Sequence, residues 1–157
     1  MKVIISGKTP AGLSLMIAAV SLLLLIPSIQ AQDSYGDVWI FPAATSVVAG
    51  DSFVTELRVN SGFQKVAAYG VEIHYDYNLV TVETSLGLSG VEAGADGFVA
   101  AVNAATPGIL SISGFDTLGK GPGANLHLAT IHWKAGTVSG TTVLDLLLNA
   151  LVDETTV

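Results

Sequence analysis

The pattern of apolar and polar positions is clearest over Ala67–Val82, AAYGVEIHYDYNLVTV. Tyr69, Val71, Ile73 and Tyr75 alternate with Gly70, Glu72 and His74. Side chains of a strand point to opposite faces at every step, so this alternation predicts a strand with one buried face and one wet face. The Tyr75-Asp76 step ends it, Tyr77-Asn78 supplies a turn, and a second strand starts at Leu79.

The same grammar recurs along the chain. Short β-type runs at Asp37–Phe41, Thr45–Val48, Phe53–Asn60, Ala67–Tyr75, Leu79–Glu83, Gly97–Asn103, Ile109–Phe115, Leu126–Lys134 and Thr141–Leu148 are divided by Gly, Asn, Asp and Pro. Regular short strands with turn signals between them predict an all-β, antiparallel, jelly-roll-like sandwich of about nine strands. No stretch after the N-terminal region has a convincing helical period. The Leu-rich run Val143–Val152 reads as strand because of its Thr-Thr-Val entry, and the Gly-rich Ser85–Gly97 reads as a loop with a short helical turn at most. Expected core residues are Phe53, Leu57, Val59, Val71, Ile73, Tyr75, Leu110, Ile112, Leu128, Ile131 and Trp133. Strict alternation sets Leu128 against Ile131 and Trp133, so its inclusion requires a bulge.

Residues 1–31 follow a different plan. Lys2 and Lys8 give a basic start, Ala11–Ile26 is an uncharged apolar run, Pro27 breaks it, and Ser28–Ala31 ends on a small residue. This is the layout of a cleaved secretory signal peptide; the alternative is an uncleaved membrane anchor, for which the run falls short of the roughly 20 residues a spanning helix needs. The expected organisation is a signal peptide over 1–31 and one sandwich domain over 32–157, secreted to the exterior or the cell surface. Without its leader the chain keeps Arg58, Lys65, Lys120 and Lys134 against 13 acidic residues. Such a surface repels nucleic acid and anionic lipid, which excludes nucleic-acid binding. The absence of cysteine excludes a thiol nucleophile, cysteine metal sites and disulfides.

The order of several short motifs resembles cohesin domains, the modules that hold dockerins in cellulosomes. Val47-Val48-Ala49-Gly50-Asp51 precedes the alternating Phe53–Val59; Val71–Leu79 gives the strand ending in Tyr-Asp; Phe98–Asn103 and Gly108–Phe115 follow; Leu128–Lys134 supplies a Leu-Ala-x-Ile-x-aromatic-Lys strand; a Gly-Thr-Thr step leads to a Leu-rich strand. The resemblance spans almost all of 37–153. It implies a non-catalytic module that binds a dockerin-type protein partner, in an assembly that degrades polysaccharides. Where well-known cohesins carry an outward Asn and Asp for the dockerin, the matching positions here are Ala68 and Gly70. The same sandwich also serves cellulose-binding modules, so a polysaccharide ligand remains the alternative. Cohesins continue with a further closing strand past the equivalent of Val152-Asp153. The expectation is therefore a shortened chain or an open sheet edge, closed by the N-terminal segment or by another chain. Strand addition by Gln32–Phe41 of a neighbouring copy would give a homo-polymer.

Chemistry is sparse. His127 and His132 are an odd number of residues apart and should lie on opposite faces of their strand. His74 and His132 could meet across an outer face, but two His without a carboxylate partner make a poor metal site. No metal or other cofactor is expected. Asp76 should accept backbone N–H groups in its turn. Glu56, Glu72, Glu83, Asp116 and Asp145 are scattered without a spacing that selects a glycosidase pair, and no serine occupies a nucleophile elbow, so no enzyme is expected. Of the aromatics, Trp133 reads as core and Tyr35 and Tyr77 as exposed, too few for a sugar platform. The outward positions Gly70, Glu72, His74, Ile109, Ser111, Ser113 and Phe115 form the candidate partner-binding patch. Gly70 allows close approach, and Ile109 and Phe115 are its apolar anchors.

Overall fold

The computed structural model describes residues 1–7 and 36–155. The apolar run Ala11–Ile26, the cleavage position after Ala31 and the segment Gln32–Tyr35 lie outside the described residues. Twelve strands and no helix occur among the described residues: β1 (Lys2–Ser6), β2 (Val38–Phe41), β3 (Ala44–Val48), β4 (Ser52–Val59), β5 (Val66–His74), β6 (Val80–Val82), β7 (Val91–Ala93), β8 (Ala101–Asn103), β9 (Ile109–Lys120), β10 (Leu126–Ala135), β11 (Gly140–Val143) and β12 (Asp145–Asp153).

They form an all-β sandwich. One sheet runs β2-β4-β10-β6, with β7 also on β10; the second runs β12-β5-β9-β8; a small third sheet runs β11-β1-β3. Every pairing is antiparallel except β1 with β3. Only Pro42-Ala43 separates β2 from β3, and only Leu144 separates β11 from β12, so the small sheet continues both large ones. The predicted single strand Thr141–Leu148 is thus two strands in different sheets, because fully buried Leu144 marks the crossing.

The inner faces meet in one apolar cluster: Leu57, Val59, Ile131 and Trp133 come from one large sheet, Val71, Ile73, Leu110 and Ile112 from the other. Every predicted core residue is buried or packs against this cluster as a half-buried ring, as Phe53 and Tyr75 do. The Trp133 ring stacks on Phe53 at 6.4 Å between centroids and meets Tyr75 edge-on at 5.2 Å, geometries favoured by the ring quadrupole. Tyr69 is buried and donates its hydroxyl to the Phe98 carbonyl at 2.6 Å.

Leu128 is fully buried because β10 bulges between His127 and Ala129. The extra residue turns the alternation over. This corrects the expectation for the histidines: His127 pairs with Arg58 and His132 with Val54, two positions on the same face of β4. His74 and His132, which the sequence left free to meet across an outer face, belong to different large sheets and do not meet. Ser85–Gly97 holds the short strand β7 rather than a helical turn, since Val91 is fully buried and pairs with Ile131. Gly97–Ala100 is outside β8. Gly97 lies against the bulge, where a Cβ would come within 1.8 Å of the Leu128 carbonyl oxygen. Val38–Phe41 pairs with β4 of its own chain, in register Val38 with Val59 and Phe41 with Glu56.

Candidate functional site

The outer face of the β12-β5-β9-β8 sheet gathers all seven candidate residues. The β5–β9 register places Gly70 opposite Ser113, Glu72 opposite Ser111, His74 opposite Ile109 and Ala68 opposite Phe115. The period of two along β5 makes this unavoidable once Val71 and Ile73 are buried. The Asp76 turn fixes the end of β5: Asp76 Oδ1 accepts both the backbone and side-chain N–H groups of Asn78 at 3.0 Å. Tyr75 donates its backbone N–H to the Gly108 carbonyl at 2.9 Å, which ties the start of β9 to this turn.

At the centre of the face is a shallow depression of about 230 Å³ lined by Gly70, Ala101, Asn103, Ser111, Ser113 and Asn149. It exists because the outward-facing side chains there are short or absent. A Cβ on Gly70 would meet Ala150 and Asn149 only at 3.9 and 4.0 Å, ordinary van der Waals distances. The open space above Gly70 is therefore not required by packing. Asn149 reaches this place because β12 bulges between Leu148 and Ala150.

The two expected apolar anchors do not come together. Ile109 is half-buried at one end of the face and Phe115, 68 % exposed, is at the other. Six residues of strand set them roughly 20 Å apart. The apolar surface closer to the centre comes from β12, whose Leu147 is 53 % exposed and lies opposite Glu72. Leu147, Asn149, Ala101 and Asn103 were missing from the sequence reading. Its one usable signal was the Leu-rich run itself: leucines on both faces of an edge strand leave one set exposed.

Charge concentrates at the Ile109 end. His74 Nε2 lies 3.3 Å from Glu72 Oε2, and Asp145 is opposite His74 on β12. On the other sheet His127 Nε2 is 3.0 Å from Thr130 Oγ1, and His132 Nε2 is 3.6 Å from Glu92. No group of three or more His, Cys, Asp or Glu side chains that would suit a metal ion occurs among the described residues. Of the scattered carboxylates, Glu56 is held by Arg58 through the guanidinium Nε at 2.6 Å. Asp116 is near Lys120 at 3.7 Å.

Neither protein-family models nor curated protein sequences match the chain. Solved structures do. The sixth cohesin of Acetivibrio cellulolyticus scaffoldin B, determined with a Cel5 dockerin, aligns with a TM-score of 0.59 at 13 % identity, over 78 % of this chain and 89 % of that one. The cohesin CaCohA2 of Clostridium acetobutylicum aligns at 0.60 and 19 % identity, over 77 % and 79 %. The cohesin of the Coh-OlpA–Doc918 complex of Clostridium thermocellum aligns at 0.60 and 14 % identity, over 78 % and 89 %. At such identities the likeness concerns backbone architecture, and in that architecture this chain has the fold of a cohesin module.

Proposed function

We propose that this protein is a secreted, non-catalytic module that binds a dockerin-type protein partner on the outer face of the β12-β5-β9-β8 sheet. The observation that carries this reading is the depression around Gly70. Short side chains occupy its floor, Leu147 flanks it, and Glu72 and His74 stand at one end. A flat face with apolar area and polar groups at its border suits a helical partner surface better than a single sugar chain. The cohesins of similar fold from Acetivibrio cellulolyticus and Clostridium thermocellum were determined in complex with dockerins. Ala68 and Gly70 offer no side-chain hydrogen bond, so the partner engages by close approach and apolar contact around Gly70.

The test is a binding panel run side by side: dockerins of different classes, and insoluble polysaccharides. Saturable binding to a dockerin that is abolished by Gly70→Arg supports the proposal. Retention on polysaccharide that is indifferent to Gly70→Arg and Leu147→Asp, with no dockerin bound, overturns it in favour of carbohydrate binding.

A further inference from the structure

The small sheet contains a strand whose place in the molecule conflicts with its place in the sequence. β1 is the middle strand of the β11-β1-β3 sheet. Its residues Lys2–Ser6 run parallel to β3, Lys2 opposite Ala44 and Ser6 opposite Val48, and antiparallel to β11, Lys2 opposite Val143 and Ile5 opposite Gly140. Val3 is 0 % and Ile5 2 % exposed, and both belong to the main apolar cluster. Lys2, Ile4 and Ser6 face outward. The backbone is engaged to its ends: Leu144 N–H donates to the Met1 carbonyl at 2.8 Å, and Ala49 N–H donates to the Ser6 carbonyl at 2.9 Å. Among the described strands, β3 and β11 have no sheet partner other than β1. The same five residues fall within the stretch that reads as a removable leader.

We propose that the slot between β3 and β11 is a strand-acceptor site. Lys2–Ser6 fills it in cis while attached. After loss of residues 1–31 the slot accepts an extended segment of another polypeptide with β-branched apolar side chains two residues apart and polar residues between and around them. The release step rests on leader cleavage; the acceptor property does not, and neither depends on the outer face around Gly70. Emptying the slot leaves two strands with unpaired N–H and C=O groups on facing edges and a gap between Val47 and Thr142, the buried residues that flank Ile5 and Val3 in the sheet. Such edges take up strands. The mixed pairing also sets direction, because parallel and antiparallel ladders space their hydrogen bonds differently and a reversed donor would mismatch both edges. The pattern Val-x-Ile is the recognition element, one side chain opposite Thr142 and the other opposite Gly140.

The experiment uses the full chain with a specific protease site between Ala31 and Gln32, folded first and then cut. A labelled synthetic peptide of sequence MKVIISG is the probe, with a Val3→Asp, Ile5→Asp peptide as control. The expected result is one peptide bound per domain, exchange with unlabelled peptide, and control binding roughly a hundredfold weaker, since two buried β-branched side chains are lost. In parallel, the uncut Val3→Asp, Ile5→Asp chain should melt at a higher temperature when MKVIISG is added. A cut domain that stays folded and binds no peptide overturns the proposal. So does a cut or doubly substituted chain that unfolds and is not recovered by excess peptide. Dockerin binding measured on the same samples reads the Gly70 face separately.

Discussion

Trp133 donates its indole Nε1–H to the Thr55 hydroxyl at 2.9 Å, and both residues are fully buried. Thr55, on β4, lies opposite Ile131 of β10, two residues from Phe53, the register partner of Trp133. A polar atom of the largest core side chain is thereby satisfied within the sandwich by the neighbouring strand. Thr55→Val keeps the shape and removes the acceptor, leaving an orphaned indole N–H. The expected cost is about 1–3 kcal/mol, read as a lower midpoint in urea denaturation, with Thr55→Ser retaining most of the stability.

The β10 bulge frees the carbonyls of His127 and Leu128 from the ladder, and the 94–97 loop takes them up. Gly94 N–H donates to Leu128 O at 2.9 Å and Asp96 N–H to His127 O at 3.1 Å. Asp96 Oδ2 in turn accepts the His127 N–H at 3.1 Å. Gly97→Ala forces a Cβ within 1.8 Å of the Leu128 carbonyl oxygen, a backbone atom that cannot rotate away. We expect destabilisation of about 3 kcal/mol, measured by denaturation. An unchanged midpoint would mean the loop is not seated on the bulge.

Leu128 is the residue that the bulge turns inward, and it is fully buried. Leu128→Ala should cost about 2–5 kcal/mol, the range for a large-to-small change in a packed core. Substitution at a strictly alternating outward position would cost almost nothing, so thermal denaturation of this one variant separates the bulged register from the regular one.

Gly70→Ala and Gly70→Arg separate binding from folding. The nearest atoms to a new Cβ are 3.9 Å away, so both variants should keep stability within about 0.5 kcal/mol of the parent. Gly70→Arg fills the depression and should abolish partner binding in a titration, whereas Gly70→Ala weakens it modestly. Loss of folding in Gly70→Ala would contradict the open space described above.

Burial pushes the phenols of Tyr69 and Tyr75 above their ordinary value near 10, although a hydrogen bond from the Gly108 backbone to the Tyr75 phenol partly opposes the shift there. Each phenol ionises more readily in the unfolded chain than in the folded one. The stability tied to their neutral forms is therefore complete below about pH 10 and drains away as the pH rises above it. Denaturation midpoints should fall steadily above about pH 10, less steeply in Tyr69→Phe. A profile that stays flat through that range would refute the linkage.

The sequence by itself determined the strands with one wet and one buried face. Tyr69, Val71 and Ile73 against Gly70, Glu72 and His74 is a period-of-two pattern that only a half-buried strand satisfies, and the same holds for Leu57 and Val59 and for Leu110 and Ile112. Those alternations placed the core and brought the seven outward residues to one sheet face, because register follows once the apolar side must face inward. Local turn chemistry at Asp76-Tyr77-Asn78 was equally legible, since an Asx turn uses only neighbours in sequence.

What only the tertiary structure decided depends on pairings between distant segments. The bulge at Leu128 arises where β10 must serve β4, β6 and β7 at once, and no periodicity within β10 announces which residue is extra. The division of the Leu-rich C-terminal run into β11 and β12 rests on Leu144 crossing between sheets. The depression at Gly70 needs Asn149 from β12 and Ala101 from β8, elements far apart in the chain. Lys2–Ser6 is the plainest case: its own residues read only as the start of a leader. Its identity as a central strand is conferred by the facing edges of β3 and β11 and by the apolar cluster that receives Val3 and Ile5, which exist only once the rest of the sandwich has folded.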